Sequence, residues 1–194
     1  KLIDNLYNLY KDDERILKII NQKDYYPETL LIMLSKNIDL IEYVLNYNDY
    51  KGQIFSNDIG KVEKGIYPLL LQYDKRWGYG FYGENVLAIN GCGPTSVAMV
   101  IAGLTGRNDL TPYKIATFSY NNGYYNDGTS WALFTEGVKQ FGIIGEEIIL
   151  SKNKMISELK QGHPIICSMK PGDFTLNGHL IVITGVKNKK FIIN

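Results

Sequence analysis

The spacing of apolar residues changes along this chain, and the changes divide it. At the start they recur at helical intervals: Leu2, Ile3, Leu6, Leu9 and Tyr10, then Ile16, Leu17, Ile19 and Ile20. Pro27 suits the first turn of a helix over Glu28 to Leu34, because its missing N–H would have no intrahelical partner there. Asn37 stands where its side chain can cap a third helix, through Leu40, Ile41, Val44 and Leu45. The pattern predicts a small bundle of two or three short helices. Lys51 to Gly65 has glycines and no period, and reads as a linker. We place the boundary so that residues 1–58 form an N-terminal helical region with its linker and residues 59–194 a second domain.

Beyond Ile66 the pattern is different. Tyr67-Pro68-Leu69-Leu70-Leu71-Gln72 is a short apolar segment, and Asp74 to Asn90 is loop-like, rich in glycine and aromatics. Gly91-Cys92-Gly93-Pro94 then leads into Thr95 to Ala102. That octet is apolar all round apart from Thr95 and Ser96, the mark of a helix buried at a domain centre; Gly103 and Gly106 end it. Thr111-Pro112 reads as N-cap and first turn of another helix. Gly128-Thr129-Ser130 opens a further one, with Trp131, Phe134, Val138 and Phe141 on one face and Gly142 at its end. Met155 to Lys160 is a short helix closed by Gly162. Strands follow: Pro164 to Met169, then His179 to Thr184, which is apolar on both alternations and so is expected to be buried on both faces. Phe191 to Asn194 begins a partner strand after a turn near Lys187-Asn188. Helices first and antiparallel strands last predict an α+β domain, a helical half packed on a sheet.

Charge removes some functions from consideration. With 21 basic and 20 acidic residues the formal net charge is +1, so no field of one sign recruits nucleic acid or a membrane surface. No apolar run approaches the ~18 residues of a membrane-spanning helix, so no integral membrane segment is expected. Lys1 at the start and the strand-like Phe191-Ile192-Ile193-Asn194 at the end lead us to expect that the chain continues in both directions. The 15 tyrosines could line a peptide groove, although buried packing is the plainer use for them.

The chain has only two thiols, Cys92 and Cys167, and two imidazoles, His163 and His179. They are neither a disulfide framework nor a zinc motif, and no metal or cofactor is expected. A thiol attacks as thiolate, which a helix N-terminus or a nearby imidazolium stabilises. Cys92 stands just before Pro94 at the start of the predicted buried helix, and the flanking Gly91 and Gly93 would let a substrate backbone approach. The plainer reading of Cys92 is a small buried hydrophobe at a tight turn. His179 opens a buried strand, from which an imidazole can project into a cleft, or it is a satisfied core histidine. His163, between Gly162 and Pro164, reads as a surface connector, and Cys167 as inert core. Gln72 ends an apolar segment; its amide could serve a developing oxyanion together with the Cys92 backbone N–H, or be merely solvated.

Gln72-Tyr73-Asp74-Lys75-Arg76-Trp77 and Asn90-Gly91-Cys92-Gly93-Pro94-Thr95-Ser96-Val97-Ala98-Met99 resemble the opening of the C39-like cysteine peptidases, papain-like enzymes related to bacteriocin-leader-processing peptidases. Leu104-Thr105-Gly106, Thr111-Pro112, Gly128-Thr129-Ser130-Trp131, Gly162-His163-Pro164-Ile165-Ile166, Gly172-Asp173-Phe174-Thr175 and Gly178-His179-Leu180-Ile181-Val182 extend the match in order over residues 66–194. The resemblance implies a papain-like peptidase fold over 59–194, with Cys92 as nucleophile, His179 as base and Gln72 as the oxyanion glutamine. It also implies a peptide or protein substrate and a bacterial setting at or outside the cell surface. Such enzymes orient the histidine with an Asp in an Asn-Asp-Pro run on the next strand, so that Asp is expected directly after Asn194.

Three functions are consistent with these residues. The first is hydrolysis of a peptide bond through a Cys–His pair. The second keeps the pair but acts as an amidase or transpeptidase on a cell-wall or isopeptide substrate. The third is a catalytically silent peptide-binding module on the same fold. The N-terminal helices, which carry no Cys or His, are expected to cover the cleft or dock a partner.

Overall fold

Lys11-Asp12-Asp13 interrupts the first helical pattern. In the computed structural model, which describes residues 1–170 and 178–194, helix α1 (Leu2–Tyr10) stops there and Asp13 caps α2 (Glu14–Asn21), accepting the Arg15 N–H at 2.9 Å. The Gly172-Asp173-Phe174-Thr175 block lies outside the described residues. Helix α3 (Glu28–Lys36) is present and runs past the expected Leu34, with Pro27 at the cap position rather than in the first turn. Asn37 is a cap, its side chain accepting the Asp39 N–H at 3.0 Å, but the expected third helix is split. A single 3-10 turn, Ile38–Leu40, leads into α4 (Ile41–Leu45) and α5 (Tyr47–Tyr50).

These helices close around Leu6, Ile16, Ile19, Leu30, Leu34 and Val44, all fully buried. Tyr79, Val86 and Ala88 belong to the same cluster. The Tyr43 and Tyr79 rings stack at 4.2 Å; the Tyr79 hydroxyl donates to the Tyr43 carbonyl (2.9 Å) and the Tyr43 hydroxyl to that of Gly78 (2.8 Å). The helical bundle is therefore fastened to the loop ahead of Cys92 by an apolar face whose buried hydroxyls are satisfied.

Residues 51–80 contain no helix or strand but are tied down at several points. Phe55 N–H donates to the Arg76 carbonyl (3.0 Å), Ile59 N–H to that of Asn108 (2.9 Å) and Gly65 N–H to that of Gly103 (2.7 Å). The expected loop over Asp74 to Asn90 contains regular structure at its end: a hairpin of β1 (Phe81–Tyr82) and β2 (Asn85–Val86), then α6 (Leu87–Asn90). Gly83 at φ +67° makes the hairpin turn. Two-residue strands are too short to leave a period in the sequence.

Helix α7 (Cys92–Thr105) begins at the cysteine itself and outruns the predicted octet at both ends; Gly106 ends it in the left-handed conformation, φ 76°. Helix α8 (Pro112–Asn121) is capped by Thr111, whose hydroxyl accepts the Lys114 N–H at 3.2 Å. The single helix expected from Gly128 to Phe141 is instead two short pieces, α9 (Ala132–Thr135) and a 3-10 stretch Gly137–Phe141. Gly137, a poor helix former, stands at the break, and Trp131 is exposed rather than part of a buried face. Helix α10 (Lys152–Lys160) completes the helical half.

Strands β3 (Ile165–Met169), β4 (His179–Lys187) and β5 (Lys190–Ile193) form an antiparallel sheet in the order β3-β4-β5. Asn188 and Lys189, at φ 50° and 62°, make the two-residue turn between β4 and β5, where positive φ at both positions matches the strand twist. The β4–β5 register shifts between Ile183 and Gly185, leaving a bulge at Thr184. Val182 packs into the α7 cluster while Ile183 packs on Met155 and Leu159 of α10, so β4 is buried on both faces as its sequence predicts. The protein is thus α+β. Among the described residues no helix is long and apolar enough to cross a membrane.

Candidate active site

The first turn of a helix has N–H groups without intrahelical partners. At α7 the accounting is short. Pro94 has no N–H, and Thr95 N–H donates to the Gly91 carbonyl at 3.0 Å. Gly91 occupies the cap position without a side chain to offer. The Cys92 and Gly93 N–H groups remain at the open end of the helix, where they act to lower the pKa of the Cys92 thiol. The backbone N–H of Leu180 on β4 acts in the same direction. All three favour a thiolate, yet burial is the stronger influence and pushes the thiol above its ordinary value.

Gln72 is held from both sides of its own segment. The buried Trp77 indole donates to the Leu71 carbonyl (2.9 Å), and Asp74 receives Arg76 through two side-chain bonds, 3.0 and 2.8 Å. The Arg76 guanidinium lies over the Trp77 ring at 4.2 Å. Gln72 Nε2 donates to the Ala88 carbonyl at 2.6 Å, which uses one of its two hydrogens and orients the amide.

His179 is the first residue of β4 and pairs with Met169. Burial alone lowers its pKa from the ordinary value, so the neutral imidazole is favoured. Among the described residues no hydrogen bond joins the ring to the Cys92 sulfur. Gln72, Cys92 and His179 nevertheless line one cleft of about 850 Å³, together with Trp131 and Asn194. Asn194 pairs with Val182 through both backbone bonds (2.8 and 3.1 Å), and its side chain donates to the Tyr67 and Pro68 carbonyls, 3.2 Å each.

The other candidates lie apart. His163 is exposed, its Nδ1 2.6 Å from Glu158 Oε2 on α10. Cys167 packs with the α10 cluster, and burial raises its thiol too.

The flanking glycines have a different reason from the one their sequence suggested. A Cβ on Gly93 would lie 2.7 Å from Thr129 Oγ1, and one on Gly91 2.4 Å from the Leu87 carbonyl oxygen. Protein atoms, not a substrate backbone, take the space beside them. Sequence reasoning missed the contacts that fix this corner. Tyr82 hydroxyl meets Ser119 Oγ (2.8 Å) and Thr129 Oγ1 (2.9 Å); Asn90 Nδ2 donates to the Tyr82 carbonyl (3.0 Å), Glu84 Oε1 (3.1 Å) and the Tyr125 hydroxyl (3.1 Å). Thr129 belongs to a motif noted in the sequence; the Leu180 N–H leaves no sequence signal, since nearly every residue has one.

Comparison with known families agrees with the ordered motifs. A family model described as peptidase C39-like matches residues 64–194. The chain belongs to the peptidase C39-like family. Neither the curated proteins nor the solved structures gave a match. C39-like membership suggests a hydrolase with a function related to cysteine peptidases. The matched segment contains Gln72, Cys92 and His179, while α1–α5 precede it.

Proposed function

We propose that this C39-like protein is a cysteine peptidase of papain-like architecture, with Cys92 as nucleophile, His179 as general base and acid, and Gln72 as oxyanion donor. One observation carries the reading. Cys92 stands at an uncapped helix N-terminus in a cleft that Gln72 and His179 also line.

His179 takes the thiol proton as the sulfur attacks the carbonyl carbon of a peptide bond. The tetrahedral oxyanion accepts the free Gln72 N–H and the Cys92 backbone N–H. Collapse breaks the C–N bond, and the imidazolium gives its proton to the leaving amine. A thioester remains. Water, deprotonated by His179, attacks it, and the thiol is re-formed as the acid product leaves. Burial raises Cys92 and lowers His179, both of which favour the neutral pair, so proton transfer to His179 accompanies attack, when catalytic hydrogen bonds tighten.

The test compares wild type with Cys92→Ala on a peptide library read by mass spectrometry. Cleavage by wild type alone supports the proposal; equal cleavage by both sinks it. Incorporation of an added amine into the product would assign transpeptidation instead. A second reading, a catalytically silent peptide-binding module, draws on the raised thiol and the lack of a Cys92–His179 hydrogen bond. It requires that wild type bind peptides without cleaving them.

A further inference from the structure

Helix α3 presents apolar residues on two sides. Leu30, Leu31 and Leu34 are buried inside the helical bundle. On the other side, Thr29, Ile32, Met33 and Lys36 fall at intervals of three and four, which places them on one face, with Met33 at its edge and half-buried against the bundle core. That face lines the same cleft as Cys92, Gln72 and His179. The junction is specific: Asn37 Nδ2, at the end of α3, donates to the hydroxyl of Tyr73, the residue after Gln72, at 3.5 Å. Leu69 and Leu71, just before Gln72, also line the cleft and are 64% and 40% exposed.

We propose that the cleft face of α3, with Leu69 and Leu71, is a subsite that receives apolar side chains of the peptide held at Cys92, so that the helices outside the family-matched segment select the substrate. This rests on the reading of Cys92 as an acyl-transfer nucleophile. The occupant is assigned by continuity, because the apolar wall and the candidate nucleophile share one cavity. Water-facing aliphatic groups in a concave site gain free energy when an apolar ligand covers them. Seven helical steps from Thr29 to Lys36 rise about 10 Å, the length of about three residues of extended peptide. The subsite therefore reads a short stretch rather than one position.

The test uses the full chain and quenched-fluorescence peptides in which one position at a time is fixed as Leu, Phe, Ser, Asp or Lys. Wild type should prefer Leu or Phe at one or more neighbouring positions. Met33→Asp should raise KM for those peptides about tenfold, with kcat changed less than about twofold, since the loss is of ground-state binding. Alkylation of Cys92 by iodoacetamide should be unchanged, and Met33→Leu should retain the preference. An unchanged preference in both Met33→Asp and Ile32→Asp overturns the proposal, as does a change in self-association without a change in selection. If wild type cleaves nothing, the peptidase reading fails separately. Binding of the same peptides to Cys92→Ala, with and without Met33→Asp, then decides the subsite: loss of apolar binding supports it, and equal binding or none overturns it.

Discussion

The Asn194 side-chain amide donates to the Tyr67 carbonyl at 3.2 Å, joining the end of the last strand to the segment that leads to Gln72. The second hydrogen of the same amide reaches the Pro68 carbonyl, so both donors are directed at the chain before Gln72 and neither at His179. Asn194→Ala should cost about 1–2 kcal/mol, a fall in Tm of roughly 2–8 °C for a protein of this size. Asn194→Asp should cost more, because it sets a carboxylate against two carbonyl oxygens. Thermal unfolding of the two variants checks the order, and an Asp variant as stable as wild type would contradict it.

Gln72 supplies a test of the oxyanion role. Loss of one such donor lowers kcat by about 100- to 1,000-fold. Gln72→Ala should show that loss with KM little changed, since the interaction strengthens only in the transition state. Gln72→Glu should be at least as poor, because a carboxylate replaces the donor. A kcat within about threefold of wild type for Gln72→Ala would remove Gln72 from the chemistry.

Burial gives the site a pH signature. His179 is held below its ordinary value, so the folded state favours the neutral ring. Its contribution to stability is fully present above the unfolded value of about 6.5 and is lost as pH falls through the folded value. Denaturant midpoints between pH 7 and pH 5 should fall in wild type and fall less in His179→Gln. The raised Cys92 has the opposite sign: its contribution is present below about pH 8.5 and lost as pH rises. Iodoacetamide should accordingly label free Cys92 slowly at neutral pH, and the rate should still be climbing above the range of a free cysteine. A rate that is flat from pH 6 upward would mean a preformed thiolate.

Gly93 and Thr129 should be energetically coupled. The added Cβ of Gly93→Ala would lie within 2.9 Å of three Thr129 side-chain atoms, an overpacking that costs about 1–3 kcal/mol. Thr129→Ala should relieve part of that cost, although it also removes a hydrogen bond to the Tyr82 hydroxyl. A double-mutant cycle by denaturant unfolding should return a coupling of about 0.5 kcal/mol or more, and strict additivity would refute the contact.

The sequence by itself determined the local elements wherever a period or a cap was long enough to read. The apolar octet after Cys92, the Thr111-Pro112 start of α8, the Asn37 cap and the doubly buried β4 all follow from residue type and spacing, because burial of a face and satisfaction of a helix end are local demands. Scarcity of thiols and imidazoles, with the ordered family motifs, also singled out Cys92 and His179. The short hairpin over 81–86 and the break at Gly137 carried too few residues to show a period. What only the tertiary structure decided is which atoms meet. Periodicity says that a face is covered, never by what, so the second face of α3 on the cleft, Thr129 against Gly93 and the Asn194 clamp on Tyr67 had no legible sign. The packing of β4 on α7, which brings Cys92, His179 and Leu180 to one cleft, was the least legible of all, since nothing in either segment names its partner.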